Sequence, residues 1–378
     1  MRAHVNRRKG TWPSRVLITT DTISSAWTYT LELVKEFKRQ AIDVSLATMG
    51  RLLTPEQREQ VREAGNPQRF ESEFRVEWQR SEGTGSPWRD VDRAGDWLLR
   101  IVDQLKPNVL HLAHYSHAGL PWQIPVVISA YSCKLSWTAA AGNANSQHDL
   151  IEYRDRIACG LHAADVVVSG TRSMLDRLEE NYGRLRSAMV VPNGRSVSLF
   201  RPGRNEPFVF AAGRLWDGTK NIDALAHAAA GIGWQVCLAG ESRQRQFPNV
   251  TALGALSTRA QAFWMSRASI YCLPARYDPL GLSVLEAALS ECALVLGDIP
   301  TLRELWHGCA QFVAPSDTDG LRDAVAELIA DEELRKELAS RARKRAIEYS
   351  ATRMAEGYAS AYRGARTHVG ARMVPAAL

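Results

Sequence analysis

MVVPNGRSVSLFRPGRNEPFVFAA, residues 189–212, is the stretch on which the fold turns. It opens with the last of one series of short apolar runs, Met189–Val191, and breaks at Pro192-Asn193-Gly194. It closes with the first run of a second series, Phe208–Ala212. Pro and Gly together punctuate a chain, since proline fixes its torsion and removes a donor while glycine admits torsions other residues avoid. Upstream of the break lie Val16–Thr20, Val44–Ala47, Val109–Leu112, Val126–Ala130 and Val166–Ser169. Downstream lie Gln235–Ala239, Val250–Leu253, Ile270–Leu273, Ala293–Leu296 and Gln311–Val313. Such runs are short, largely β-branched and apolar on both faces, as parallel strands covered by helices must be. Segments of helical period separate them: Trp27–Gln40, Pro55–Ala64, Asp90–Leu105, Asp149–Ala163 and Ser173–Tyr182, with Thr171 as a cap before the last. After the break come Asn221–Ala230, Thr258–Ala268, Leu282–Leu289, Asp319–Ala330, Glu332–Tyr349 and Ala351–Tyr362. This alternation on both sides of one break predicts an α/β protein of two doubly wound domains facing a central cleft. The boundaries read as a tail over 1–13, a first domain over 14–192 and a second over 193–345. A final segment, 346–378, carries a helix that packs back toward the first domain, then a tail.

Composition narrows the function. With 378 residues, 45% of them hydrophobic and 23% charged, the chain reads as globular rather than disordered or fibrous. No apolar run is long enough to span a bilayer, and the first residues, MRAHVNRRKGTWP, lack the apolar core of a secretory signal. The net charge of +6 divides evenly about residue 192, and only Arg7–Lys9 and Arg341–Arg345 are dense in cations. A nucleic-acid binder would gather that excess in one stripe, so an anionic small substrate, or at most peripheral membrane contact, is the better expectation. Six scattered cysteines form no C-x-x-C pair, which predicts free thiols in a reducing, cytoplasmic setting.

Two segments carry chemistry. Gly213-Arg214-Leu215-Trp216-Asp217-Gly218-Thr219-Lys220 nearly spells a phosphate loop, but Thr219 separates the second glycine from the lysine and Asn221 follows it, so ATPase and GTPase readings fail. What remains is two cations at a strand end beside a helix start, suited to a diphosphate; a solvated charged loop is the alternative. Ala275–Ala288 runs from a strand end through Asp278-Pro279-Leu280-Gly281 into a helix whose first amides, at Gly281, Leu282 and Ser283, lack intrahelical acceptors. Glu286 stands in an otherwise apolar stretch, either facing solvent or placed to accept two vicinal ribose hydroxyls. His111-x-x-His114-x-x-His117 could ligate zinc on a helix, but Val109–Leu112 reads as a strand that scatters the three, so no metal site is expected.

Together the two segments resemble the donor site of retaining, metal-independent glycosyltransferases of the GT-B fold, glycosyltransferase family 4 (glycosyl transferases group 1). The family pairs G-R-x-x-x-x-K with E-P-x-G-x-x-x-x-E. Here Gly213-Arg214 is followed by Lys220 one residue late, and Asp278 stands for the first Glu, with Gly281 and Glu286 in place. Asn193-Gly194 and Gly240-Glu241 match further landmarks, and the likeness spans residues 14–365. The resemblance implies two Rossmann-like domains and a nucleotide-diphosphate sugar as co-substrate, with neither cofactor nor metal. Arg214 and Lys220 would hold the diphosphate, Asp278 the sugar hydroxyls and Glu286 the ribose, with Asn193, Gly213, Gly240, Glu241, Gly281, Leu282 and Ser283 around the donor. The acceptor, whether saccharide, lipid-linked or small molecule, stays open. On the first-domain side, Ser24, Ser25 and Trp27 occupy a loop that is glycine-rich in relatives, and Tyr131 stands where a histidine is common. These departures, with Asp278, leave a second expectation: a weak or inactive GT-B protein that binds a nucleotide sugar or a partner enzyme.

Overall fold

In the computed structural model, which describes residues 13–79, 86–142, 147–243 and 245–373, the apolar runs become two fully parallel sheets. The first comprises β1 (Arg15–Asp21), β2 (Asp43–Met49), β3 (Gln68–Glu71), β4 (Val109–Leu112), β5 (Val126–Ser129), β6 (Val166–Ser169) and β7 (Ala188–Val190), in the order β3-β2-β1-β4-β5-β6-β7. The second comprises β8 (Glu206–Ala212), β9 (Gln235–Ala239), β10 (Thr251–Gly254), β11 (Ala268–Leu273), β12 (Ala293–Gly297) and β13 (Gln311–Val313), in the order β10-β9-β8-β11-β12-β13. In both, strand order reverses beside the first strand, between β1 and β4 and between β8 and β11. Helices peel away to opposite faces there, and a crevice opens at the carboxyl ends of the strands.

Burial explains what the sequence showed and what it hid. β4, β5, β6, β11 and β12 are buried along their whole length. The edge strand β3 reads QRFE and is half-exposed, so no apolar run announced it. Two short helices were also unannounced, Lys134–Ala141, stopped by Gly142 at φ 68°, and Pro300–Trp306, which begins on its proline. Thr171 does cap the helix Arg172–Tyr182, its hydroxyl accepting the Met174 amide at 3.2 Å.

The chain crosses between domains twice, and the crossings touch. The Arg195 amide donates to the Tyr349 carbonyl at 3.2 Å and the Ala351 amide to the Arg195 carbonyl at 3.3 Å. The helix Ala351–Met373 then lies on the first domain, where Met354, Ala355, Tyr358, Ala361, Tyr362 and Ala365 share one core with Val16, Ile18, Tyr29 and Phe37. Its tyrosines dispose of one histidine. His111 Nδ1 lies 2.7 Å from the Tyr362 hydroxyl, while Nε2 meets the Ser129 hydroxyl, itself 2.9 Å from Tyr358. Burial pushes the His111 pKa down to about 3, so the ring is neutral. His114 and His117 pack edge to face with each other, and among the described residues no three metal-ligating side chains converge. All six cysteines are free, and only Cys159 is exposed. Among the described residues no helix is long and apolar enough to cross a membrane.

Candidate active site

The crevice at the β8/β11 reversal collects the two segments singled out above. Gly213 directly follows β8, its amide donating to the Ala239 carbonyl at 3.0 Å, and Gly240 directly follows β9 with φ 142°. A Cβ on Gly240 would lie 1.7 Å from the Gly213 carbonyl oxygen, so glycine here is what lets the two strand ends meet. Glu241 beyond it is exposed, at the rim. The Lys220 stem runs past Gly213, and its Nζ reaches Asp278 Oδ1 at 3.4 Å. The same Asp278 oxygen accepts the Gly281 amide at 3.1 Å. The two loops are stitched by the Thr219 carbonyl, which accepts the amides of Arg276 and Tyr277, and by the Asn221 side chain, which donates to the Pro274 and Pro315 carbonyls at 2.9 and 2.7 Å. Lys220, Asp278 and Gly281 are thus brought together.

Arg214 has a partner that sequence reasoning did not assign. Its Nη2 donates to Asp217 Oδ2 at 2.7 Å, while its Nε is buried without a hydrogen-bond partner. Asp217 Oδ1 caps the tight turn Gly218–Lys220 through the Thr219 amide and hydroxyl, and accepts Trp137 Nε1 from the opposite domain at 3.2 Å. Burial alone would raise the Asp217 pKa; the Thr219 hydroxyl and the Arg214 charge outweigh it and hold the carboxyl below its ordinary value. Both the Asp217 turn and its pair with Arg214 are local, two and three residues apart, whereas the tie to Trp137 of the opposite domain has no local signal.

Several expected contacts take a different form. Gly281, at φ 60°, does begin the helix Leu282–Leu289, but its amide is already taken by Asp278, leaving those of Leu282 and Ser283 as the helix's orphan donors. The Leu282 side chain packs into the core of the first domain. Asn193 donates its Nδ2 to the Leu280 carbonyl at 2.8 Å, so it braces the loop. Glu286 does not face solvent. It is 4% exposed, and its oxygens accept Arg195 Nε at 2.7 Å and Gln261 Nε2 at 2.6 Å.

On the first-domain side the structure corrects two assignments to the cleft. Trp27 is buried, with Nε1 donating to Gln60 Oε1 at 2.6 Å, because the helix Ala26–Arg39 turns that face onto the helix Pro55–Glu63. Tyr131 is buried against Tyr29, with ring centroids 4.3 Å apart and its hydroxyl 3.2 Å from that of Tyr358. The aromatic layer under the last helix has claimed it. Tyr131→Phe should therefore leave kcat within about twofold while costing about 1 kcal/mol of stability, read by steady-state kinetics and thermal melting. Ser25 is exposed, and Ser24 is tied to Asp21, whose carboxylate accepts the Ile23 amide at 2.8 Å, the Ser24 amide at 2.5 Å and the Ser24 hydroxyl at 2.7 Å. The chain's own carboxylate thus fills the amide nest that a glycine-rich loop would leave for a ligand.

The domains touch across the cleft at several further points. The Cys133 amide donates to the Tyr277 hydroxyl at 2.9 Å, and Glu304 accepts the Arg172 and Ser173 amides at 2.6 and 2.8 Å.

Two Rossmann-like domains with paired cations at the second switch point define a class, and comparison with known proteins agrees. Residues 26–199 match the family described as Glycosyltransferase Family 4, and residues 206–331 match Glycosyl transferases group 1. The alpha-maltose-1-phosphate synthase of Mycolicibacterium smegmatis is 26% identical over 291 residues, 65% of this chain and 74% of that protein. Among solved structures, sucrose-phosphate synthase from Thermosynechococcus elongatus superposes with a TM-score of 0.77 at 16% identity, covering 93% of this chain and 98% of that one. Anabaena HepE in complex with UDP-glucose superposes with a TM-score of 0.73 at 14% identity, covering 92% and 99%. The chain is a glycosyltransferase of the GT-B fold, a sugar-transferring enzyme of class EC 2.4. Its first half carries a family-4 domain and its second a group-1 domain.

Proposed function

We propose that the enzyme moves a sugar from a nucleotide-diphosphate donor to an acceptor hydroxyl with retention of anomeric configuration and without a metal ion. The observation that carries this is Lys220, held by Asp278 at the head of the helix Leu282–Leu289, with Arg214 on the same loop after β8 and its buried Nε unpartnered. Two cations and two orphan amides can take the charge of a departing diphosphate, the task a divalent ion performs elsewhere. The bond from the anomeric carbon to the phosphate oxygen breaks while the acceptor oxygen bonds to the same face. The acceptor proton passes to the departing phosphate oxygen, giving glycoside and nucleoside diphosphate. Asp278 orients Lys220 and accepts a sugar hydroxyl, and Glu286 accepts the ribose hydroxyls. UDP-sugars are the first donors to try, since a structural neighbour was solved with UDP-glucose.

Donor consumption across a panel of nucleotide sugars, with and without EDTA, tests the reading, and NMR of the product tests retention. No turnover with any donor, or turnover abolished by EDTA, overturns it. Asp278→Glu should change the ranking of donors. The added methylene carries the carboxylate about 1.3 Å farther, beyond the Gly281 amide it now caps at 3.1 Å and toward the sugar. An unchanged ranking would remove Asp278 from sugar recognition.

A further inference from the structure

Arg195 follows the Pro192-Asn193-Gly194 break, at the crossing between domains, and its guanidinium is almost wholly buried. Nη1 donates to Glu32 Oε1 at 2.7 Å and Nε to Glu286 Oε1 at 2.7 Å. Glu32 lies on the helix Ala26–Arg39 of the first domain, Glu286 on the helix Leu282–Leu289 of the second. The Phe200 ring packs against the guanidinium, 5.0 Å from its centroid, and the Arg195 backbone is bonded on both sides to the second crossing. Its backbone is thus pinned, and two arms of its guanidinium are committed to carboxylates on opposite domains.

An ionised carboxylate offers about four acceptor positions. Arg195 and Gln261 take one on each oxygen of Glu286, which fixes the plane of the group and leaves acceptor capacity on both oxygens. We propose that Arg195 is a positioning residue: anchored by Glu32 of the opposite domain, it orients Glu286 to accept both hydroxyls of the nucleotide ribose. This rests on the reading of Glu286 as the ribose acceptor. Burial raises the Glu286 pKa and the Arg195 charge opposes the shift, so the guanidinium also favours the ionised form that accepts best. Lysine is a poor replacement, because its ammonium lacks the planar, fixed fork whose Nε and Nη1 meet the two carboxylates at set angles.

The test compares UDP with 2′-deoxy-UDP by calorimetry (or the ADP or GDP pair, whichever diphosphate binds most tightly), with inorganic pyrophosphate as a probe of the phosphate subsite. The parent should prefer the ribose form roughly tenfold, the scale of one hydrogen bond to a charged group, and Glu286→Gln should abolish that preference. Arg195→Lys and Glu32→Gln should each cut it below about threefold with pyrophosphate affinity unchanged, an effect that a merely structural role would not produce. No preference in the parent, or one that survives Glu286→Gln, overturns the ribose reading and the role of Arg195 with it. A preference lost in Glu286→Gln but kept in Arg195→Lys and Glu32→Gln overturns the Arg195 proposal alone. Loss in Arg195→Lys with Glu32→Gln at the parent value overturns the anchoring from the other domain. Should Arg195→Lys fail to fold, Glu32→Gln decides by itself.

Discussion

Arg214→Ala and Lys220→Ala each lower kcat/KM by ~10²–10³, the usual cost of losing one charge-stabilising group from a developing anion. The two losses should differ in origin. Removing Arg214 also strips Asp217 of its partner, leaving a buried carboxylate held by Thr219 and Trp137 alone. Removing Lys220 leaves Asp278 with the Gly281 amide and no cation. Both variants should keep the parent's circular dichroism. Asp217→Asn is the informative companion: it keeps the shape of the turn but releases Arg214 from its ion pair, and should cost less than Arg214→Ala. Parent-like kcat/KM in both alanine variants would place the donor phosphates elsewhere.

Gly240→Ala has the largest effect on the fold around the site. The new methyl would sit 1.7 Å from the Gly213 carbonyl oxygen, a backbone atom that cannot swing aside, at a φ of 142° that alanine avoids. Separating β8 from β9 at their ends should cost about 3 kcal/mol or more. For a domain of this size that corresponds to a fall in Tm of roughly 6–12 °C. Nucleotide affinity should fall as well, because Gly213 carries Arg214. Gly213→Ala is the control. A Cβ there meets only the Lys220 stem, at 3.8 Å, so the protein should fold normally. Thermal melting and UDP titration check both; a Gly240→Ala variant with the parent's Tm would mean that the strand ends can part freely.

The periodicity of short apolar runs carried the two-domain plan, because burial on both faces of a parallel sheet demands it and the break at Pro192-Asn193-Gly194 divides the two series. It missed β3, whose residues QRFE sit half-exposed at an edge where no apolar run is needed. The meeting of Lys220, Asp278 and Gly281 was legible for a similar reason: they stand in the loops that follow β8 and β11, and strands that flank a reversal must deliver their loops to one crevice. Side-chain direction was not legible. Trp27 and Tyr131 lie beside the cleft in sequence, yet helix rotation and the tyrosine layer of the last helix turn both into the core.

The partners of the charged groups lay further out of reach. Asp217 and Trp137 stand 80 residues apart, and Glu32 and Arg195 stand 163 apart on opposite domains. No local pattern encodes such pairs, since a buried charge takes whichever counter-charge packing delivers to it. The sequence by itself determined where the strands end and which residues stand there. Only the tertiary structure decided that Glu286 is held by Arg195, that Glu32 of the first domain meets the same guanidinium, and that Trp137 reaches Asp217 across the cleft, because the docking of two separately wound domains sets those contacts.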